Sequence, residues 1–238
     1  MTYGHSSTTT TLSCGYENGT IIHLQTAPQL TARTRFSAPP AKKKPPQSPK
    51  EALLLLQKYM RENAPVAMAA ITGPGDPLAT PESTFDVLES IHNQFPGLPL
   101  GLLTMGIGGA GLAADLARLG VSYIEMKIEG VRREILEKIF AWIRPGAKTI
   151  QLKEAAELLL KEQRSAVSAL KFHGIKVVIL TTLYPGCNVD HVAKISAEMM
   201  ELGADGIALL PYSPEPGCEV ELERPCDSVI AAASAKAS

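Results

Sequence analysis

The sequence has 238 residues, of which 45% are hydrophobic and 20% charged, and its formal net charge is −1 at pH 7. A chain of this composition folds around a substantial core, and a charge so close to neutral argues against nucleic acid and anionic membrane surfaces as partners. No apolar run reaches the roughly 18 residues that span a bilayer, and the Ser- and Thr-rich start lacks the layout of a secretory signal, so we expect a cytoplasmic protein.

Short apolar runs alternate with longer amphipathic runs along most of the chain. Residues 1–20 show no apolar periodicity, which predicts a flexible, irregular tail. The strands are predicted over residues 21–27, 66–72, 100–104, 121–128, 176–183 and 206–210. The helices are predicted over residues 48–63, 81–95 (with Thr80 as the N-cap side chain), a short segment ending at Leu119, 132–143, 152–173 and 190–202. The pattern is an α/β fold of six strand-helix units.

The strands are near-continuous apolar runs, such as residues 177–180, and this is typical of a parallel sheet that helices cover on both faces. Periodicity leaves a β/α barrel and an open doubly wound sheet as alternatives. The glycines directly before three strands, Gly120, Gly174 and Gly203, are more typical of a barrel. In both folds the ligand-binding loops lie at the carboxyl ends of the strands.

The loop after the second predicted strand, residues 73–77, reads GPGDP. Gly73 and Gly75 would let the backbone approach a ligand, and the Asp76 carboxylate could receive an ammonium group. The alternative is a tight turn in which Asp76 bonds its own backbone. After the third strand, Thr104 and the glycines that follow it offer backbone groups to a polar ligand, which is a weak signal.

The fourth predicted strand carries Glu125, Lys127 and Glu129 at two-residue spacing, which places them on one face. Charged side chains do not face an apolar core unpaired. They therefore point either into a polar barrel interior or toward water from an edge strand. The interior is favoured, because five further strands are available to close around it.

Two of the four cysteines, Cys187 and Cys218, follow the fifth and sixth predicted strands. Four cysteines are too few for a disulfide scaffold in a chain this long, so free thiols or metal ligands are expected. A single cysteine is more often a small buried hydrophobe than a ligand, but two at adjacent strand ends leave both interpretations open.

Residues 71–82, ITGPGDPLATPE, resemble the second-strand motif of the radical SAM enzymes of nitrogenase-cofactor maturation, the NifB family. The similarity continues through Thr104-Met105-Gly106, residues 153–156, Pro185-Gly186 and Asn188, and so covers residues 21–215. The resemblance implies a partial six-stranded parallel barrel over residues 21–215, between a tail of residues 1–20 and a C-terminal extension of residues 216–238. It also implies that the second-strand motif holds the amino group of S-adenosylmethionine.

The chain departs from this family in the loop after the first strand. Family members follow an Ala-Pro pair with a CxxxCxxC motif whose thiolates hold a 4Fe-4S cluster, and here the matching positions are Leu30, Thr34 and Ser37. An aliphatic side chain and two neutral hydroxyls are poor replacements for soft thiolates. We therefore expect no radical SAM activity, while another enzymatic activity stays open.

Other family positions also differ or match only in part. A cofactor-facing Asn of the family falls at Glu129 and a second Asn falls at Leu180, while the paired C-terminal cysteines are reduced to Cys226. Cys14, upstream of His23, corresponds to an N-terminal cysteine that ligates a substrate cluster in the family.

Three functions remain open. The first is a non-radical NifB-like protein that binds or carries an iron-sulfur or heterometal cluster, with molybdenum among the candidate metals, beside metallocofactor-assembly proteins. The second is a binding protein or sensor for S-adenosylmethionine or a related small molecule, and the third is a pseudoenzyme scaffold. No general base or nucleophile is evident, so no catalytic residue is predicted. The metal candidates are Cys14, His23, Cys187, Cys218 and Cys226, and the cofactor-binding candidates are Gly73, Gly75, Asp76, Thr104 and Glu129.

Overall fold

A computed structural model describes residues 19–38, 45–62, 65–146, 150–218 and 220–237. Its strands are β1 (Thr20–Leu24), β2 (Ala32–Thr34), β3 (Val66–Ile71), β4 (Leu100–Thr104), β5 (Val121–Lys127), β6 (Phe140–Ile143), β7 (Lys176–Leu183) and β8 (Gly206–Pro211). Its helices are α1 (Pro49–Arg61), α2 (Pro81–Gln94), α3 (Gly109–Arg118), α4 (Arg133–Ile139), α5 (Leu152–Phe172), α6 (Val192–Glu201) and α7 (Asp227–Ala237).

Six of the strands form one parallel sheet in the order β1-β3-β4-β5-β7-β8. The strands follow one another in chain order without the reversal of a doubly wound sheet, so the predicted partial β/α barrel is confirmed and the open doubly wound sheet is excluded. All six strands run the same way, so their carboxyl ends meet at one mouth. None of the described helices is both long and apolar enough to cross a membrane.

The two faces of the sheet have different cores. The outward face packs against the helices through the largest apolar cluster, to which Leu24, Ile71, Leu102 and Ile124 contribute. The inward face has a smaller apolar floor made of Met68, Ala70, Tyr123 and Val178. Alternation along the strands separates these two sets, and it directs the charged residues of β5 inward.

The first two long helices begin at the expected places. Ser48 caps α1 in a capping box with Glu51, whose side chain accepts from the Ser48 backbone. Thr80 does occupy the N-cap position of α2, but its hydroxyl makes no capping bond and is buried without a partner in the described structure. The prediction of a side-chain cap at Thr80 was therefore wrong.

Two further elements differ from the sequence prediction. The helix predicted over residues 132–143 ends at Ile139, and β6 follows it and pairs antiparallel with β2. The C-terminal extension, for which no element was predicted, contains α7, which packs beside α6. The pairing of β2 with β6 holds the loop after β1 against the mouth of the barrel.

Candidate functional site

The turn after β3 is bonded to the loop after β1. Gly73 O accepts from Ala27 N at 3.0 Å, Gly75 N donates to Ala27 O at 2.7 Å, and Asp76 N donates to Gln29 O at 2.7 Å. The amides of Gly75 and Asp76 therefore bond protein carbonyls.

The face of Gly75 is also covered. A Cβ atom there would lie 2.3 Å from Gln29 O and 2.5 Å from the carbonyl carbon of Gln29. Glycine is required at this position because two segments of backbone touch. The close neighbour is protein, so the space expected for a ligand beside Gly75 is filled.

Asp76 is buried, and its two carboxylate oxygens accept four hydrogen bonds. Oδ1 accepts from Leu78 N at 2.9 Å and from Thr104 Oγ1 at 2.7 Å. Oδ2 accepts from Met105 N at 2.7 Å and from Thr31 Oγ1 at 3.3 Å. Burial raises the pKa of Asp76, and these hydrogen bonds oppose that shift. With its acceptor sites used, Asp76 does not fit the role of receiving the amino group of S-adenosylmethionine.

Leu30, Thr34 and Ser37 lie in the half-buried segment around β2. The Ser37 hydroxyl donates to Thr34 O at 3.1 Å, and the Thr34 side chain hydrogen-bonds Tyr184. Both hydroxyls already have protein partners and Leu30 has no donor atom, so these residues do not fit a cysteine-ligated 4Fe-4S cluster.

Phe36, between the positions of two lost thiolates, belongs to an aromatic group at the mouth. Its ring stacks on Tyr184 at 5.3 Å between centroids and meets Tyr212 at 6.0 Å. The Phe36 carbonyl accepts from the Tyr212 hydroxyl at 3.1 Å and from Cys218 Sγ at 3.0 Å. We call Phe36, Tyr184 and Tyr212 the aromatic cluster; it packs the loop onto the ends of β7 and β8.

Charged side chains follow one another along the inward face of β5 and just beyond its carboxyl end. Glu125 and Glu129 are buried, Lys127 is half-buried between them, and burial raises the pKa of each glutamate to about 7. The positive charge of Lys127 lowers both pKa values and partly offsets the effect of burial. Glu129 Oε2 accepts from Thr182 N at 2.8 Å. The barrel-interior interpretation of these residues is supported, and the edge-strand alternative fails because two of the three are buried.

Asn188 organises the end of β7 beside Glu129. Its side-chain amide donates to Glu129 O at 3.0 Å and to Thr182 O at 2.8 Å, while its oxygen accepts from Tyr184 N at 2.8 Å. Asn188 is fully buried and has a structural role in this network.

The candidate metal ligands are not brought together as one set. Cys187 N donates to Tyr184 O at 3.0 Å and Cys218 Sγ donates to the Phe36 carbonyl, whereas Cys226 is exposed beside Ser228 at the start of α7. His23 is half-buried on β1, and Cys14 lies outside the described residues. Within the described ranges no group of three or more His, Cys, Asp or Glu side chains is placed to hold a metal ion.

The sequence did not reveal several residues that hydrogen-bond to the candidate site from distant parts of the chain. Thr31 supplies a donor to Asp76 from 45 residues away, and the Tyr212 hydroxyl bonds Phe36, 176 residues away. Gln163 of α5 joins the ends of β4 and β5 by donating to Met105 O and Lys127 O. A buried glutamine in an otherwise apolar helix face was the one signal available for the last of these.

Comparison with curated proteins finds FeMo cofactor biosynthesis proteins among the relatives of this chain. The chain is 33% identical over 165 residues to the FeMo cofactor biosynthesis protein NifB of Chlorobaculum tepidum, covering 69% of this chain and 39% of that protein. It is 30% identical over 185 residues to NifB of Methanocaldococcus infernus, covering 74% of this chain and 61% of that protein. The chain thus matches less than two thirds of the length of these relatives. No protein-family model matches it.

Solved structures share the fold at low identity. Streptococcus suis SuiB bound to S-adenosylmethionine superposes with a TM-score of 0.69 at 11% identity, covering 92% of this chain and 46% of that one. The radical S-adenosylmethionine methyltransferase TsrM of Kitasatospora setae gives 0.58 at 15% identity, covering 82% and 36%. The chain is therefore similar to NifB over 69–74% of its own length, and its fold is the partial barrel of these S-adenosylmethionine-dependent structures.

Proposed function

We propose that this protein acts in metallocofactor assembly as a non-radical NifB-like barrel that binds or carries an iron-sulfur or heterometal cluster. The single observation that carries the non-radical part is the replacement of the three cluster thiolates by Leu30, Thr34 and Ser37, in a loop whose polar groups bond the protein itself. A carrier does not need the electron source that radical formation requires. The relatives named as FeMo cofactor biosynthesis proteins support the pathway.

The cluster would be cargo, and its candidate ligands lie at the mouth. The backbone N–H of Cys187 donates to Tyr184 O and the Cys218 thiol donates to Phe36 O, so both cysteines contact the aromatic cluster. Burial raises the pKa of Cys187 while the Lys138 charge lowers it, and a thiol must lose its proton to bind metal. Metal loading should therefore release protons and improve above neutral pH.

Anaerobic reconstitution with ferrous iron and sulfide, followed by metal analysis and an absorption spectrum, tests the proposal. We expect bound iron in the full chain and its loss in Cys187→Ala and Cys218→Ala. Cys226→Ala, which removes the exposed thiol at α7, should retain the iron if the mouth holds the cluster. A metal-free protein that still co-purifies with cofactor-assembly proteins would replace this proposal with the scaffold function.

The non-radical part has its own assay. The reduced protein is incubated with S-adenosylmethionine, and 5′-deoxyadenosine is measured. We expect none, because the residues at the three cluster positions do not fit the cluster that cleaves the cofactor. Detection of 5′-deoxyadenosine above a no-protein control would contradict the proposal that the protein performs no radical chemistry, whatever the result of the iron analysis.

A further inference from the structure

The basic residues of this chain are concentrated around one small ribbon. Residues 30–50 and 138–153 contain 10 of the 23 Lys and Arg residues and none of the 24 Asp and Glu residues, which leaves 13 basic against 24 acidic side chains in the rest of the chain. The two stretches meet where β2 pairs antiparallel with β6. The net charge of −1 is therefore the sum of a basic region at the mouth and an acidic remainder.

The ribbon presents an aromatic ring and an arginine on its outer side. Phe140 and Ile143 of β6 are buried in the apolar cluster below the mouth, whereas Trp142 between them is half-buried and lies opposite Arg33 of β2. Arg144 is exposed, and its guanidinium carbon lies 4.6 Å from the centre of the Trp142 ring. This stacking holds the guanidinium in place.

The guanidinium groups of Arg35 and Arg144 are fixed but are not neutralised. Arg35 Nη2 donates to Glu137 O at 3.3 Å, and Arg144 stacks on Trp142. Among the residues that the structure describes, no carboxylate oxygen lies within 4.0 Å of either guanidinium. A guanidinium has five N–H donors, so each group can still bind a carboxylate, and little side-chain freedom is lost when it does.

The spacing of these two groups suits an extended peptide. Arg35 directly follows β2 and Arg144 directly follows β6, and in an antiparallel ribbon these are opposite ends. With strands of 3 and 4 residues the ends are about 10–13 Å apart, a distance that an extended peptide spans between carboxylates about four residues apart.

The surroundings favour a short acidic ligand over a long one. Glu137 lies on α4 directly before β6, and Glu215 Oε2 accepts from Ala38 N at 3.1 Å at the other side of the ribbon. A nucleic acid duplex or an anionic membrane extends beyond the ribbon and would meet these carboxylates and the acidic remainder of the chain. A peptide segment can stay within the basic region.

We propose that Arg35, Trp142 and Arg144 form a docking site for an acidic peptide segment of a partner protein. Its carboxylates bind Arg35 and the Arg144 guanidinium that Trp142 positions. Tryptophan and arginine are among the residue types that contribute most to binding at protein interfaces. The ribbon holds the loop after β1 at the mouth, so a docked partner lies beside the barrel opening. The proposal does not rest on cluster binding, since none of the three residues is a candidate cluster ligand.

The fluorescence of Trp142 tests this site directly, because it is the only tryptophan of the chain. The protein is titrated at about 50 mM salt with the unlabelled peptide acetyl-Glu-Glu-Ser-Thr-Glu-Glu-amide. We expect the emission to change to saturation, and the affinity to fall about tenfold or more when every glutamate of the peptide is replaced by glutamine. The absence of a saturable change, or equal affinity for the glutamine peptide, would overturn the proposal.

Variants separate the site from general charge attraction. Arg35→Gln and Arg144→Gln should each weaken the peptide about threefold to tenfold, whereas the exposed controls Arg118→Gln and Lys194→Gln should not. Thermal melts check that each variant is folded. An equal loss of affinity in the controls would contradict the assignment.

Trp142→Leu leaves every charge in place and removes only the ring on which Arg144 stacks. Calorimetric titration of this variant should show about threefold weaker binding or more, because the guanidinium is no longer held. Unchanged affinity would show that the ribbon attracts the peptide by charge alone and would overturn the site.

Other occupants of the ribbon are tested with the same protein. Tighter binding of duplex DNA or of phosphatidylglycerol vesicles than of the peptide would assign the ribbon to nucleic acid or membrane. Self-association in sedimentation that Arg144→Gln abolishes would assign it to a second copy of the chain. Each of these results would overturn the proposal of an acidic peptide, and none of them bears on the iron analysis.

Discussion

Thr104 Oγ1 donates a 2.7 Å hydrogen bond to Asp76 Oδ1, and this bond ties the end of β4 to the turn after β3. The Thr104 hydroxyl also accepts from Gly106 N at 3.0 Å, so one threonine links the two glycine-containing turns that sequence reasoning assigned to a ligand. Asp76, Thr104 and the backbone amides around them therefore form a hydrogen-bond network of the protein's own atoms. Its central carboxylate supports the fold.

The first prediction concerns Asp76→Ala. The change leaves the buried donors Leu78 N, Met105 N and the Thr104 hydroxyl without their acceptor. We expect the free energy of unfolding to fall by about 3–5 kcal/mol, measured by urea denaturation. Asp76→Asn keeps one oxygen and should lose less. A loss below about 1 kcal/mol for Asp76→Ala would mean that water or neighbouring groups replace the carboxylate.

The strands could be predicted closely because burial on both faces leaves near-continuous apolar runs. Lys176–Leu183 was predicted with its observed bounds. β2 and β6 were missed, because strands of 3 and 4 residues show no period and pair across more than a hundred residues. The sequence predicts candidate binding residues at the carboxyl ends of the strands, and the structure brings two of them, Asp76 and Thr104, into contact there. The hydrogen bonds within this site could not be predicted, because Thr31 and Phe36 contact it from distant parts of the sequence and no local sequence pattern indicates such contacts.

The second prediction concerns Gly75→Ala. The added Cβ would lie 2.3 Å from Gln29 O, and both segments of backbone are held by hydrogen bonds, so the loop after β1 must move. We expect a loss of about 2 kcal/mol or more in the free energy of unfolding. The matched control is Gly111→Ala in α3, where nothing lies within 4 Å of the added atom. There the better helix propensity of alanine should stabilise the protein by up to about 1 kcal/mol.

The third prediction concerns Phe36→Ala. The Phe36 ring contacts both tyrosines of the aromatic cluster, so its removal should free the loop after β1 from the mouth. We expect the free energy of unfolding to fall by about 2–4 kcal/mol. The amide hydrogens of residues 29–38 should exchange faster in hydrogen-deuterium exchange. Phe172→Ala is the control, since Phe172 is 86% exposed and its loss should change stability by less than about 0.5 kcal/mol. Unchanged exchange over residues 29–38 in Phe36→Ala would show that β2 and β6 alone hold the loop.

The last prediction is a dependence of stability on pH. The pKa of Glu125 and of Glu129 is about 7 in the folded protein, against 4.5 as the ordinary value, and burial is the main cause for both. Folding therefore favours the protonated carboxyls, so their contribution to stability is fully present below pH 4.5 and is lost as the pH rises toward 7.

Glu125→Gln and Glu129→Gln remove one titrating group each. Both variants should gain stability relative to the unmodified protein as the pH is raised through this window, by roughly 1–3 kcal/mol in urea denaturation. The half-buried His23 has a lowered pKa and acts in the opposite direction, but it is common to all three proteins and cancels in the difference. A constant difference between pH 4.5 and 7 would show that water reaches these carboxyls and keeps their pKa values near 4.5.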